Sequence, residues 1–253
     1  MTTLWLCHGH AQAADTPAGR LVKIDTRPGV TVGVYVIPTD HASATVMLLP
    51  GGSGSLAMRD GAPQSQNFLI RSHTYFLEQG FNVVMVGRPS DRDDLDVDFR
   101  ASATHVEDLR KVINWIHQEM PSPLWLVGTS RGTVSAASAA IAVGKPLIDG
   151  VVLSSSITSY KWAASVPRLK LSAIQVPVLV MHHEKDGCFA CQPHEAHWIV
   201  DGLKRAPIKK LLLVNGGGNP QGDSCGALHW HGYIGMEKEA VGQMAAWIKR
   251  PES

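Results

Sequence analysis

The 253-residue sequence predicts an α/β domain built on a largely parallel sheet. Three observations carry this. Apolar runs of strand length recur between longer stretches with helical periodicity. One such run, Leu124-Trp125-Leu126-Val127, passes through Gly128-Thr129-Ser130-Arg131-Gly132 into a run of small, helix-compatible residues from Val134 to Ala142. Glycine-rich turns at 51–54 and from Asn215 onward directly follow apolar strands, where open α/β sheets bind their ligands. At this length one core can bury about three quarters of the unfolded chain's surface, so a single domain is expected over residues 20–253.

Taken in order, Arg20 to Thr26 and Val30 to Ile37 alternate apolar and polar residues around Arg27-Pro28-Gly29, the pattern of an antiparallel opening hairpin. Ala44 to Leu49 is a continuous apolar strand that stops at Pro50-Gly51-Gly52-Ser53-Gly54. Gln66 to Gln79 reads as one helix with Phe68, Leu69, His73, Phe76 and Leu77 on a face, ended by Gly80 before a buried strand from Phe81 to Val86. The acidic run from Arg88 to Arg100 reads as a solvated loop. Thr104 with Glu107 resembles a capping box for a helix through Gln118, whose inward face would carry Val106, Leu109, Val112, Ile113 and Ile116. Beyond the central turn, strands are expected at Gly150–Leu153, Pro177–His182 and Lys209–Val214. Helices are expected at His194–Gly202 and Met236–Lys249.

Composition narrows the function classes. With 23 basic and 22 acidic residues the formal charge is +1, which gives no reason to expect nucleic acid or a membrane surface as a partner. No segment approaches about 20 uninterrupted apolar residues, so no membrane span is expected. At the N-terminus, Ala11-Gln12-Ala13 before Ala14 has the look of a signal-peptidase site behind Leu4-Trp5-Leu6-Cys7. Residues 1–19 are therefore read as the remnant of an export signal whose start lies upstream, with a periplasmic or secreted protein as the consequence. A disordered tail on a cytoplasmic protein is the alternative.

The central turn points to chemistry. Gly-x-Ser-x-Gly between strand and helix is the setting of a nucleophile elbow, in which a strained bend lifts the Ser130 hydroxyl above the sheet. A serine hydroxyl is a weak nucleophile at neutral pH and needs a histidine base oriented by an acid. After the strand ending at His182, Asp186 sits in His183-Glu184-Lys185-Asp186-Gly187; its short carboxylate suits a tight loop better than that of Glu184. The loop before the last helix offers His229 and His231, and His231, followed by Gly232-Tyr233, is preferred. Two amides should hold the oxyanion: that of Arg131, and one from the loop after the third strand, assigned to Gly52 with Ser53 next.

These motifs together resemble the α/β-hydrolase superfamily: Pro50-Gly51-Gly52-Ser53-Gly54, Gly128-Thr129-Ser130-Arg131-Gly132, His183-Glu184-Lys185-Asp186, and a histidine ahead of the final helix. The likeness runs over nearly the whole chain from about Arg20. It implies an eight-stranded, mostly parallel twisted sheet flanked by helices, a Ser–His–Asp triad and ester or amide hydrolysis of a small acyl substrate without a cofactor. It is similar to the smaller members that lack a cap domain. Where members carry His-Gly ahead of the oxyanion loop, this chain has Pro50-Gly51. Acyl transfer, peptide cleavage or a catalytically silent binding protein on the same fold are the competing functions. The sequence is silent on substrate identity and oligomeric state. The pocket is expected between the 54–66, 88–100 and 155–175 loops, with Trp162 and Trp230 as candidate wall residues.

The cysteines admit three readings, of which a redox Cys-x-x-Cys lacks the rest of that fold's pattern. Cys188, Cys191, His194 and His197 are spaced by threes beside His182 and His183, but zinc sites usually keep their ligand pairs further apart, so no metal is expected. If Asp186 and His231 meet, their loops touch, and those loops carry Cys188 and Cys225. A disulfide from Cys188 or Cys191 to Cys225 would then clamp the acid loop to the base loop.

Overall fold

The computed structural model describes residues 19–252, so the N-terminal reading falls outside the described residues except at Gly19. The opening hairpin pairs β1 (Arg20–Arg27) with β2 (Val30–Ile37). Then come β3 (Ala44–Leu49), a two-residue ribbon (58–59 with 62–63), α1 (Phe68–Arg71), α2 (His73–Glu78) and β4 (Phe81–Pro89). The helices α3 (Val97–Ala101) and α4 (Ala103–Glu119) lead to β5 (Leu124–Thr129), α5 (Gly132–Ala142) and β6 (Gly150–Ser154). The chain closes with β7 (Val178–His183), α6 (His197–Gly202), β8 (Lys209–Val214) and α7 (Glu237–Lys249).

The eight strands form one sheet in the order β1-β2-β4-β3-β5-β6-β7-β8, antiparallel at β1–β2 and β2–β4 and parallel from there on. Register fixes what leaves the carboxyl edge together. Leu49 lies opposite Gly128, Thr129 opposite Ser154, and Val214 opposite His183. The loops beginning at Pro50, Ser130, Ser155, Glu184 and Asn215 therefore emerge side by side. Between β6 and β7 lie only short 3-10 turns, Val166–Arg168 and Leu171–Ala173, with no inserted helical cap.

Strand alternation sorts the core into two layers. On β4, Val84 and Val86 face the cluster built with α4, α5 and α6, while Val83 and Met85 face the cluster built with α1, α2 and α7. Each such fully buried side chain contributes about 1.5–3 kcal/mol of transfer free energy. The last helix is amphipathic as its sequence requires, burying Ala240, Val241, Met244, Ala245, Trp247 and Ile248.

Three local readings need correction. The helix expected over 66–79 is two helices. His73 Nδ1 takes the Ile70 carbonyl at 2.7 Å, the acceptor an unbroken helix would give to Thr74. The 88–100 run is not wholly a solvated loop: Asp96 caps α3 by accepting from the Phe99 N–H at 2.7 Å, and Leu95, Val97, Phe99 and Arg100 are buried. Helix α4 is capped by Ser102, whose hydroxyl accepts from the His105 N–H, rather than by Thr104. Glu107 pairs with Arg110 and Lys111 instead of reaching back, and Val106 is only half-buried.

Candidate active site

Ser130 follows the last residue of β5 with φ +53°, a left-handed conformation that a non-glycine residue holds at a cost of about 1–3 kcal/mol. Its neighbours hold it there. Ser130 donates its N–H to the Ser154 carbonyl at 3.1 Å, extending the β5–β6 ladder by one bond. Its carbonyl accepts from Thr133 Oγ1 at 2.6 Å and from the Thr133 N–H at 3.0 Å. The sharp turn brings helix α5 so close to β3 that a side chain at Gly132 would overlap the Leu49 carbonyl. On the other flank a Cβ at Gly51 would lie 2.7 Å from Ser130 Cβ, so the loop after β3 can sit against the serine only with glycine there.

Asp186 and His231 meet. The loop after β7 turns at once, with the Asp186 N–H donating to the His183 carbonyl at 3.0 Å. One carboxylate oxygen accepts from the Cys188 N–H at 2.9 Å and the other bonds His231 Nδ1 at 2.8 Å. A carboxylate only accepts, so Nδ1 carries the proton and the Nε2 lone pair is free. That Nε2 is buried without a partner among the described residues. His231 sits in a 3-10 turn, Trp230–Gly232, whose carbonyls are gripped from elsewhere: Ser155 Oγ donates to that of His231 at 2.9 Å, and Arg71 to that of Gly232 at 2.7 Å. The alternatives are elsewhere: Glu184 is exposed and bonded by Asn215, and His229 is half-buried with its ring edge-on to Trp230.

Ser130 and His231 wall one cleft of about 290 Å³ together with Gly51, Gly52, Ser53, Ser55, Ala57, Ser65 to Phe68, Thr129, Cys225, Ala227 and Gly232. Of the loops expected to enclose it, only 54–66 does so. The 88–100 and 155–175 loops supply no wall residue, and the 225–232 segment takes their place. Neither Trp162 nor Trp230 lines the cleft; Trp162 faces solvent, and Trp230 stacks on His183 with ring centroids 6.1 Å apart. Among the described residues, no hydrogen bond within the chain uses the N–H of Gly52 or of Arg131.

Sequence reading missed the residue under this loop. Arg100 is a fully buried guanidinium that donates to the carbonyls of Pro50 at 3.0 Å, Gly52 at 3.2 Å and Leu95 at 2.9 Å, and to Ser135 Oγ at 3.0 Å. Burial lowers its pKa to about 9, and the Arg131 charge adds to the fall against smaller opposing pulls from Asp94 and Asp96. The arginine thus fixes the backbone of the loop beside Ser130. The nearest sequence signal was its position among buried-type residues, Leu95, Val97 and Phe99.

The disulfide joins Cys188 to Cys225, tying the Asp186 loop to the segment that leads into His231. Cys191 is a free, buried thiol; burial and the Asp186 charge push its pKa well up, against a smaller opposing pull from the Ser130 hydroxyl. His194 and His197 take no part with the cysteines: His197 Nδ1 bonds the His194 carbonyl at 2.8 Å. Under the site, His182 accepts from the Ser156 N–H through Nε2 at 3.0 Å, and burial lowers its pKa to about 4.

No family model and no curated protein sequence matches the chain. Solved structures do. An esterase from Pyrococcus furiosus superposes with TM-score 0.67 at 15% identity, covering 96% of this chain and 95% of its own. A lid-less α/β serine hydrolase from Xanthomonas campestris gives 0.63 at 17%, covering 93% and 96%. A dienelactone hydrolase from Anabaena variabilis gives 0.64 at 13%, covering 92% and 97%.

Proposed function

We propose that this chain, whose fold is that of the α/β hydrolases, is a serine hydrolase that cleaves small carboxylic esters through an acyl-enzyme. The observation that carries the reading is the 2.8 Å bond from His231 Nδ1 to Asp186, which leaves a buried, unpartnered Nε2 on the wall that Ser130 shares. In this reading Ser130 Oγ attacks the ester carbonyl while His231 Nε2 takes its proton. Asp186 holds the tautomer and stabilises the imidazolium that forms. The amides of Gly52 and Arg131, free of partners among the described residues, receive the oxyanion. His231 then gives the proton to the leaving alcohol. A water, deprotonated by the same ring, releases the acid and restores Ser130.

The cleft favours short acyl groups. At about 290 Å³ it is small for a ligand pocket, and Ser53, Ser55, Ser65, Gln66 and Asn67 leave Phe68, Ala57 and Ala227 as its apolar contacts. An oxidising compartment, periplasmic or extracellular, suits the Cys188–Cys225 bond. A p-nitrophenyl ester series tests the proposal: kcat/KM should be highest for acetate or butyrate, fall with chain length and vanish in Ser130→Ala. Equal turnover by wild type and Ser130→Ala would reject it.

A further inference from the structure

The loop after β7 carries two cysteines that ester hydrolysis does not use, and they converge on His231. Cys188 and Cys191 form a Cys-x-x-Cys pair after β7, the spacing that lets two sulfurs converge on one ion. Their sulfurs and one ring nitrogen of His231 lie within 4.8 Å of one another, all three residues buried. Tetrahedral zinc holds sulfur at about 2.3 Å and imidazole nitrogen at about 2.0 Å, which sets its ligand atoms roughly 3.5–4 Å apart. At no more than 4.8 Å apart, the trio lies within about 1 Å of that spacing. A fourth donor is at hand, because Cys225 Sγ is bonded to Cys188 Sγ and Cys225 lines the cleft with His231. The histidine is held as metal-binding histidines are: a carboxylate on Nδ1, with Nε2 buried and unpartnered.

We propose that the reduced chain binds one thiophilic divalent cation, zinc being the type, through the thiolates of Cys188, Cys191 and Cys225 and Nε2 of His231. A dithiol reductant first gives two electrons and two protons to the Cys188–Cys225 bond and leaves as its own disulfide. The cation then displaces three thiol protons to solvent and accepts the Nε2 lone pair, with no change in its own oxidation state. A disulfide oxidant such as oxidised glutathione then takes two electrons from Cys188 and Cys225 and, with two protons from solvent, leaves as two thiols; this re-forms their bond, withdraws two donors and frees the ion. Because Nε2 cannot hold a metal and accept the Ser130 proton together, the reduced, metal-held state is hydrolytically silent. That last consequence rests on the serine-hydrolase reading; the metal site does not.

Cobalt(II) reads the site directly. The full-length chain, reduced with dithiothreitol and freed of it under nitrogen, is titrated with Co²⁺ alongside the oxidised chain. The expected result is one equivalent bound by the reduced chain, with tetrahedral d–d absorption and a sulfur-to-cobalt charge-transfer band. Added zinc should bleach both, and the oxidised chain should give neither. Cys191→Ser and His231→Gln should each weaken binding at least tenfold, and Asp186→Asn, which removes the partner behind the histidine, by about 10–100-fold. Far-UV circular dichroism is recorded on every sample. No tetrahedral spectrum in the reduced wild type would overturn the proposal, as would a His231→Gln titration matching wild type. So would a spectrum that persists unchanged in urea, since the folded loops are what assemble the four donors. Ester hydrolysis by the reduced chain should fall with zinc and return with a chelator. A chain that binds cobalt this way but hydrolyses nothing would keep the metal site and overturn the hydrolase reading instead.

Discussion

The serine at the tip of β5 is held in a conformation it would not choose, and a few residues impose it. Gly51 is the most exacting of them, since any side chain there meets Ser130 Cβ and the Thr129 carbonyl. Gly51→Ala should displace the loop that carries the Gly52 amide and lower kcat by about 10²–10³, the cost of one oxyanion donor, with little change in KM. Initial rates against ester concentration separate the two parameters. Asp186→Asn should leave the ring in place but favour the wrong tautomer, lowering kcat by about 10⁴. That Asp186 would meet His231 beside Ser130 was legible because each sits in a short local pattern: an elbow, a turn before glycine, a histidine ahead of a helix. The residues that grip them were not. Arg100 reaches Pro50 across 50 residues, Ser155 reaches the His231 carbonyl across 76, and Arg71 reaches the Gly232 carbonyl across 161. No local pattern encodes such a bond.

Among the elements, the two loops after β7 and β8 depend on each other most. Their disulfide closes a segment of 37 residues, for which the loss of unfolded-chain entropy is worth about 3–4 kcal/mol. Cys225→Ser should therefore lower the melting temperature by roughly 10 °C. It should also cost activity beyond the stability loss, because the loops that bring Asp186 to His231 lose their clamp. Thermal unfolding followed by circular dichroism, with rates taken well below the transition, distinguishes the two effects. Six of the eight strands were read to within a residue of each end, by alternation in the opening hairpin and by unbroken apolar runs in the parallel strands, while β4 and β5 run on to Pro89 and Thr129. Helix boundaries were less legible. Side chains decided them, with His73 occupying the Ile70 carbonyl and Ser102 rather than Thr104 capping α4. The pocket walls were misread for a different reason. Which loop leans over Ser130 depends on the fold of the 225–232 segment, and its glycine-rich approach has no periodicity to read.

At the scale of the whole molecule, two buried histidines make the fold sensitive to acid. Burial keeps both neutral, with pKa values lowered to about 4 for His182 and about 3 for His105, whereas the unfolded chain returns them to 6.5. Below pH 6.5 the unfolded state binds more protons, so stability falls as pH drops toward 4 and is unaffected by these groups above 6.5. For His182 the full loss is on the order of 3 kcal/mol. Urea midpoints at pH 7 and 4.5 should differ accordingly, and His105→Gln should flatten the dependence. The same sheet builds the cleft: parallel strands deliver residues 130, 186 and 231 to one edge from three distant segments, and everything proposed for the cleft follows from that convergence. The most direct test is peptide mapping of the folded, oxidised chain after treatment with a fluorophosphonate. One adduct per chain is expected, on Ser130, absent in Ser130→Ala and formed far more slowly in His231→Gln. A folded wild type that takes up no adduct, or an adduct on another residue, would contradict it.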